Sequence, residues 1–139
     1  MLFRSAGVVR DMDRQAASIP ASQFDALERV VQPMGDLVKR VVKGGGIVIA
    51  GTDSPIFPYA LAYHTELELF QRGGLTPFEV LQTATIRAAE ALGEGANLGS
   101  VEAGKLADLV VVSDDPLVDV KNARKVKRSE EHTSELQSH

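Results

Sequence analysis

The sequence predicts an α/β protein, and three observations carry that expectation. Apolar residues recur at helical spacing from Phe24 to Val42, a triple glycine follows, and an unbroken apolar run, residues 47–50 (IVIA), comes directly after it. Helix, tight turn and doubly apolar strand in that order form the second half of a βαβ unit, whose strand is buried on both faces of a parallel sheet. With 44% apolar and 24% charged residues, the 139-residue chain has the composition of one globular domain and not of a disordered segment.

Residues 6–20 show no sustained period, and Ile19-Pro20 marks a boundary. From Ser22, the residues Phe24, Leu27, Val30, Val31, Met34, Leu37, Val38, Val41 and Val42 form one amphipathic helix, expected to bend or split at Pro33. Gly44, Gly45 and Gly46 end it, since glycine supplies the left-handed cap. Pro55 and Pro58 keep the chain after Asp53 from entering helix at once, and a second helix is expected over residues 60–72, closed by Gly73-Gly74. Thr76-Pro77-Phe78-Glu79 is a helix start: Thr76 caps, Pro77 takes the first helical position and Glu79 completes a capping box. This third helix is expected to continue to Leu92. Residues 98–101 and 109–112 read as strands joined by a turn at residues 102–105, and Asp114-Asp115-Pro116 closes the second. Two or three such strands make no stable sheet alone, so they call for partners elsewhere in a longer chain.

Composition removes several functions. The absence of Cys excludes a disulfide framework, a thiolate zinc site and a Cys nucleophile, and only three His are present. A formal charge of -4 argues against nucleic acid as a partner, and no apolar run reaches the roughly 18 residues of a membrane span. The cluster Lys121, Arg124, Lys125 and Lys127 reads as solvated surface in preference to a phosphate patch. Gly44-Gly45-Gly46 is no phosphate loop, because it precedes a strand and lacks the following Lys-Ser/Thr. A free-standing dinucleotide-binding domain would need a glycine fingerprint between strand and helix, and none is present.

Three ordered motifs carry a resemblance. GTDSP at 51–55, HTELELFQRGGLTPFEVLQTATIRAAEALG at 64–93 and LGSVEAGKLADLVVVSDDP at 98–116 resemble the C-terminal third of amidohydrolase-superfamily enzymes, the imidazolonepropionase-like and prolidase-like metal-dependent hydrolases in particular. The resemblance implies a C-terminal fragment of a (β/α)8 TIM barrel, contributing its last strand (residues 47–50) and flanking helices, plus part of a small β-sandwich domain. It divides the chain into barrel at 6–95 and sandwich at 96–127. Residues 1–5 and 128–139 are each similar to a translated sequencing adapter, so both are expected to be foreign to the protein.

By the same resemblance, Asp53 stands at the C-terminal mouth of the last strand, where barrel active sites lie. It is implied as both catalytic proton carrier and metal ligand, with a divalent metal, zinc, as cofactor. A plain capping role for Asp53 is the alternative from spacing alone. The other ligands, a His-x-His pair and further His, have no counterpart here. His64 is the candidate substrate contact, although an ordinary polar position on its helix is the preferred reading. Lys105, Ala107 and Asp108 match the GKxADLV signature, with a structural role. The expectation for function is a parent hydrolase cleaving an amide or cyclic amide C–N bond of a small-molecule substrate, the chain alone being inactive. The alternative is a non-enzymatic relative that keeps the fold for assembly.

Overall fold

The computed structural model describes residues 21–52 and 59–130, with side chains from Arg29 onward in the first stretch and from Ala62 in the second. The chain divides into two compact units, residues 1–33 and 34–139. The boundary falls inside the first helix, α1 (Ala21–Lys43), which runs through Pro33 as one element. Proline removes one backbone bond there but does not end the helix. The expected boundary at Ile19-Pro20 lies outside the described residues.

In the second unit, Gly45 adopts φ +83° and lets the chain leave α1. The amide of Gly46 bonds the Val41 carbonyl at 2.9 Å and that of Gly45 the Val42 carbonyl at 3.1 Å, which satisfies the helix end. Residues 47–50 then form no strand. Their exposure alternates: Ile47 (57%) and Ile49 (46%) face outward, while Val48 and Ala50 are half-buried and turn inward. The expectation of a strand buried on both faces is corrected here. Such burial needs a strand on each side, and no sheet neighbour lies beside this run among the described residues. One backbone bond anchors it, from the Ala50 amide to the Thr83 carbonyl at 3.1 Å.

Helix α2 (Tyr59–Arg72) matches the expected second helix. Its C-terminal glycine meets α1 at close range: a Cβ on Gly35 would lie 2.5 Å from the Gly73 Cα, so neither position takes a side chain without parting the helices. The expected single third helix is two, α3 (Pro77–Thr83) and α4 (Ile86–Ala91). The interruption is made by threonines. The Thr83 and Thr85 hydroxyls donate to the Val80 and Leu81 carbonyls at 2.7 and 2.8 Å, and the Thr83 carbonyl is turned to Ala50.

The core lies where these elements meet. Leu67, Leu75, Val80 and Val120 are at most 3% exposed, and Val38, Val42, Ala50, Phe70, Leu81 and Ala84 pack against them. Each fully buried side chain of this kind contributes roughly 1.5–3 kcal/mol. Val120 reaches the core from the short 3-10 helix Val120–Arg124, far along the chain.

The α3 start forms as the sequence predicts. Thr76 Oγ1 accepts from the Glu79 amide at 3.2 Å, and Glu79 Oε2 accepts from the Thr76 amide at 2.8 Å. The Lys43 ammonium, 2.6 Å from Glu79 Oε1, together with the Thr76 amide and the Thr76 hydroxyl, which donates to Glu79 Oε2 at 2.9 Å, holds the Glu79 carboxyl down to about 2. A depressed carboxylate contributes stability above its unfolded value of about 4.5, and the contribution is lost as the pH falls toward about 2. Thr76→Ala is expected to cost about 0.5–2 kcal/mol and to speed exchange of the Val80 and Leu81 amides in hydrogen-exchange mass spectrometry. Unchanged exchange would show that the cap contributes nothing.

The expected strand at residues 98–101 is also corrected. Gly99 turns the chain at φ +89°, and the Lys105 ammonium ties this loop by donating to the Gly95 carbonyl (2.7 Å) and to Ser100 Oγ (2.6 Å). The expected strand at 109–112 is present as β1 (Leu109–Val112). Its antiparallel partner is β2 (Val126–Glu130), with Leu109 opposite Glu130, Val111 opposite Arg128, and an irregularity after Val111. Thus β2 runs on past residue 127 into residues 128–130, which sequence similarity assigns to the foreign tail. Backbone pairing sets few demands on side-chain identity, and four of the five β2 residues are exposed. Val110 (62%) and Val111 (50%) remain open to solvent, like Ile47 and Ile49. The chain expressed alone is therefore expected to bind a hydrophobic dye or to aggregate. A dispersed monomer with a sharp cooperative thermal transition and no dye signal would contradict this.

Candidate active site

The sequence places its main candidate, Asp53, directly after Thr52; Asp53 itself lies outside the described residues. What the structure describes is the approach to it. Ala50 is pinned by its bond to the Thr83 carbonyl and packs on the Leu67–Leu75–Val80 core, so Gly51 and Thr52 leave from a fixed point beside the α3–α4 junction.

His64 lies on α2, half-buried, with its ring edge-on to Tyr63 at 5.2 Å between centroids. Burial pushes its pKa below the usual histidine value, Arg124 acts in the same direction, and Glu68 opposes both. The net effect favours the neutral imidazole. Glu68, one turn further along α2, receives a bond of 2.5 Å from Arg124 Nη2. Beside that pair, Gln71 Oε1 accepts from the Val120 amide at 3.0 Å.

This seam between α2 and the 3-10 helix was not legible in the sequence, since its partners are 49 and 56 positions apart. It borders an open cleft of about 470 Å³ lined by Glu68, Gln71, Arg72, Asp119 and Lys121. The basic run does not act as one patch: Arg124 pairs with Glu68, and Lys125 lies 3.2 Å from Asp114. Lys105 serves its loop, which fits the structural role expected for the GKxADLV segment.

A metal requires three or four convergent ligands. Among the described residues no group of three His, Asp or Glu is placed to hold one, so they do not fit a metal site by themselves. Nor is any helix among them long and apolar enough to cross a membrane.

Comparison with known proteins defines the class. The amidohydrolase family model matches residues 4–130, and the chain belongs to that family. Particular relatives narrow the likeness. The chain is 40% identical over 78 residues to the imidazolonepropionase of Symbiobacterium thermophilum, covering 54% of this chain and 18% of that protein. It is 37% identical over 82 residues to the ochratoxinase of Aspergillus niger, covering 58% and 16%. Among solved structures it is similar to a Xaa-Pro dipeptidase with bound methionine in its active site, with a TM-score of 0.64 at 26% identity over 70% of this chain and 24% of that one. The chain therefore spans about a fifth of the length of the curated relatives it matches.

Proposed function

We propose that this chain is the C-terminal part of a hydrolase that cleaves an amide or cyclic amide C–N bond in a small molecule, using water as the nucleophile. The observation that carries the reading is the family match over residues 4–130, with the GTD segment set immediately after the anchored residue Ala50. The dipeptidase likeness supports it, since a dipeptidase breaks a peptide C–N bond. On this reading residues 47–50, which form no strand here, stand where the last strand of a (β/α)8 barrel would run in the whole protein, residues 6–95 belong to that barrel, and 96–127 are part of a small β-sandwich. Residues 1–5 and 128–139 are adapter-derived.

Asp53 is the proposed proton carrier. A carboxylate at the mouth of the last strand can take a proton from the attacking water and return it to the leaving nitrogen. The carbonyl carbon gains a C–O bond, the C–N bond breaks, and the proton moves through one side chain. A divalent metal, zinc, belongs to the whole protein, with Asp53 one of its ligands and the others supplied by chain that is not part of this sequence. The 139 residues alone are inactive.

The test is to assay the whole protein against Xaa-Pro dipeptides, N-acyl amino acids and cyclic amides, following release of the amine. Turnover of one such class is expected. Failure on all of them in a folded, metal-loaded protein would favour a non-enzymatic scaffold. His64→Ala is expected to change kcat by less than about tenfold, because the imidazole sits among Tyr63, Glu68 and Arg124 as part of the α2 surface. A loss matching that of Asp53→Asn would instead make His64 a substrate contact.

A further inference from the structure

The cleft between α2 and the 3-10 helix has walls that are already set. Gln71 Oε1 accepts from the Val120 amide at 3.0 Å, Asp119 Oδ1 from the Lys121 amide at 3.0 Å, and Glu68 Oε1 from Arg124 at 2.5 Å. These three half-buried side chains are thereby held in place before anything binds, which lowers the ordering cost a ligand would meet. Capacity is left over. The Gln71 amide nitrogen and Asp119 Oδ2 take no bond among the described residues, and Lys121 forms no ion pair among them. Along α2, Gln71 stands about 18 Å from Tyr59, the end of the helix nearer in sequence to Asp53.

Charge decides what fits. The lining sets Glu68 and Asp119 against Arg72 and Lys121, two charges of each sign. A plain anion such as phosphate meets two carboxylates there, and a plain cation meets two basic groups. A metal ion finds too few converging ligands. A small molecule carrying one charge of each sign meets a partner for both. The volume of about 470 Å³ lies within the range of roughly 300–1,000 Å³ usual for small-molecule sites. We propose that this cleft is a binding site for a free α-amino acid. Its carboxylate is taken by the Lys121 ammonium and the Gln71 amide, and its ammonium donates to Asp119 Oδ2. The site goes beyond the proposed reaction and depends on neither Asp53 nor a metal.

The test is equilibrium dialysis of the whole protein against radiolabelled L-alanine at low salt. Binding with a Kd on the order of 1 mM is expected, because ion pairs in an open cleft are weak. Lys121→Gln and Asp119→Asn should each weaken it by at least about tenfold, since each removes one charge-assisted contact. The Asn variant keeps an oxygen for the Lys121 amide, so the start of the 3-10 helix survives, and circular dichroism checks that both variants are folded. Propionate and ethylamine, which each lack one of the two charged groups, should compete at least about tenfold more weakly than unlabelled L-alanine. Lys127→Ala, the same loss of charge on β2, should leave the affinity unchanged. No binding, binding indifferent to Lys121→Gln and Asp119→Asn, or propionate competing as well as L-alanine would each overturn the proposal. So would an equal loss in Lys127→Ala, which would mean attraction by net charge alone. Binding is the readout, so a protein that binds L-alanine here without turnover defeats the proposed reaction and leaves this site standing.

Discussion

Asp53→Asn in the whole protein is expected to lower kcat by at least about 10²–10⁴-fold, the usual contribution of a general base. The substitution nearly preserves size and removes only the ability to take a proton. Folding should survive. The segment that delivers Asp53 is held by the Ala50–Thr83 backbone bond and by Ala50 on the core, and neither depends on the carboxylate. Metal content should fall only modestly if ligands outside this chain hold the ion. Turnover, metal content and thermal unfolding measured together separate the outcomes. Near-normal turnover with full metal would remove Asp53 from the chemistry. An Asn variant that fails to fold would indicate that Asp53 serves as a cap for the segment that follows.

Leu67→Ala carries the largest expected stability effect, a loss of about 2–5 kcal/mol in the whole protein. Leu67 is 1% exposed and sits in the cluster that joins α2, α3 and the 3-10 helix, with Val38 and Val42 of α1 against it. Truncation there removes apolar contact and leaves a cavity that several elements would have to collapse together to fill. Arg87→Ala is the control. Its ion pair with Glu90 is solvent-exposed on both sides, so its loss should change stability by less than about 1 kcal/mol. Urea midpoints at constant m-value compare the two. Equal shifts for Leu67→Ala and Arg87→Ala would mean that the cluster is not the core.

What could be read in advance was local. The Thr76–Glu79 capping box, the glycine exit from α1 and helix α2 each depend on residues a few positions apart, and each is present; strand β1 is present as well, on a partner strand 14 to 21 positions later. The departures come from longer-range partners. The third helix breaks because the Thr83 carbonyl serves Ala50, 33 positions earlier, and periodicity carries no sign of that bond. Residues 98–101 turn under the Lys105 clamp, where apolarity alone reads as strand. Residues 47–50 have the composition of an interior strand and stand without a sheet neighbour among the described residues, and a strand is defined by what lies beside it. The seam of Glu68, Gln71, Val120 and Arg124 had no signal beyond ordinary polar spacing. The site is legible chiefly through the ordered motifs at 51–55, 64–93 and 98–116, which pointed to the family that the model match then identified.

The most direct measurement of the central claim follows oxygen in the product. The whole protein is incubated in H₂¹⁸O with the amide or cyclic amide it turns over fastest, and the acid product is examined by mass spectrometry after a single turnover. The account predicts one ¹⁸O atom in the new carboxyl group and stoichiometric release of the amine, or one opened ring where the amide is cyclic. A C–N bond broken without ¹⁸O entering the carboxyl group would contradict it.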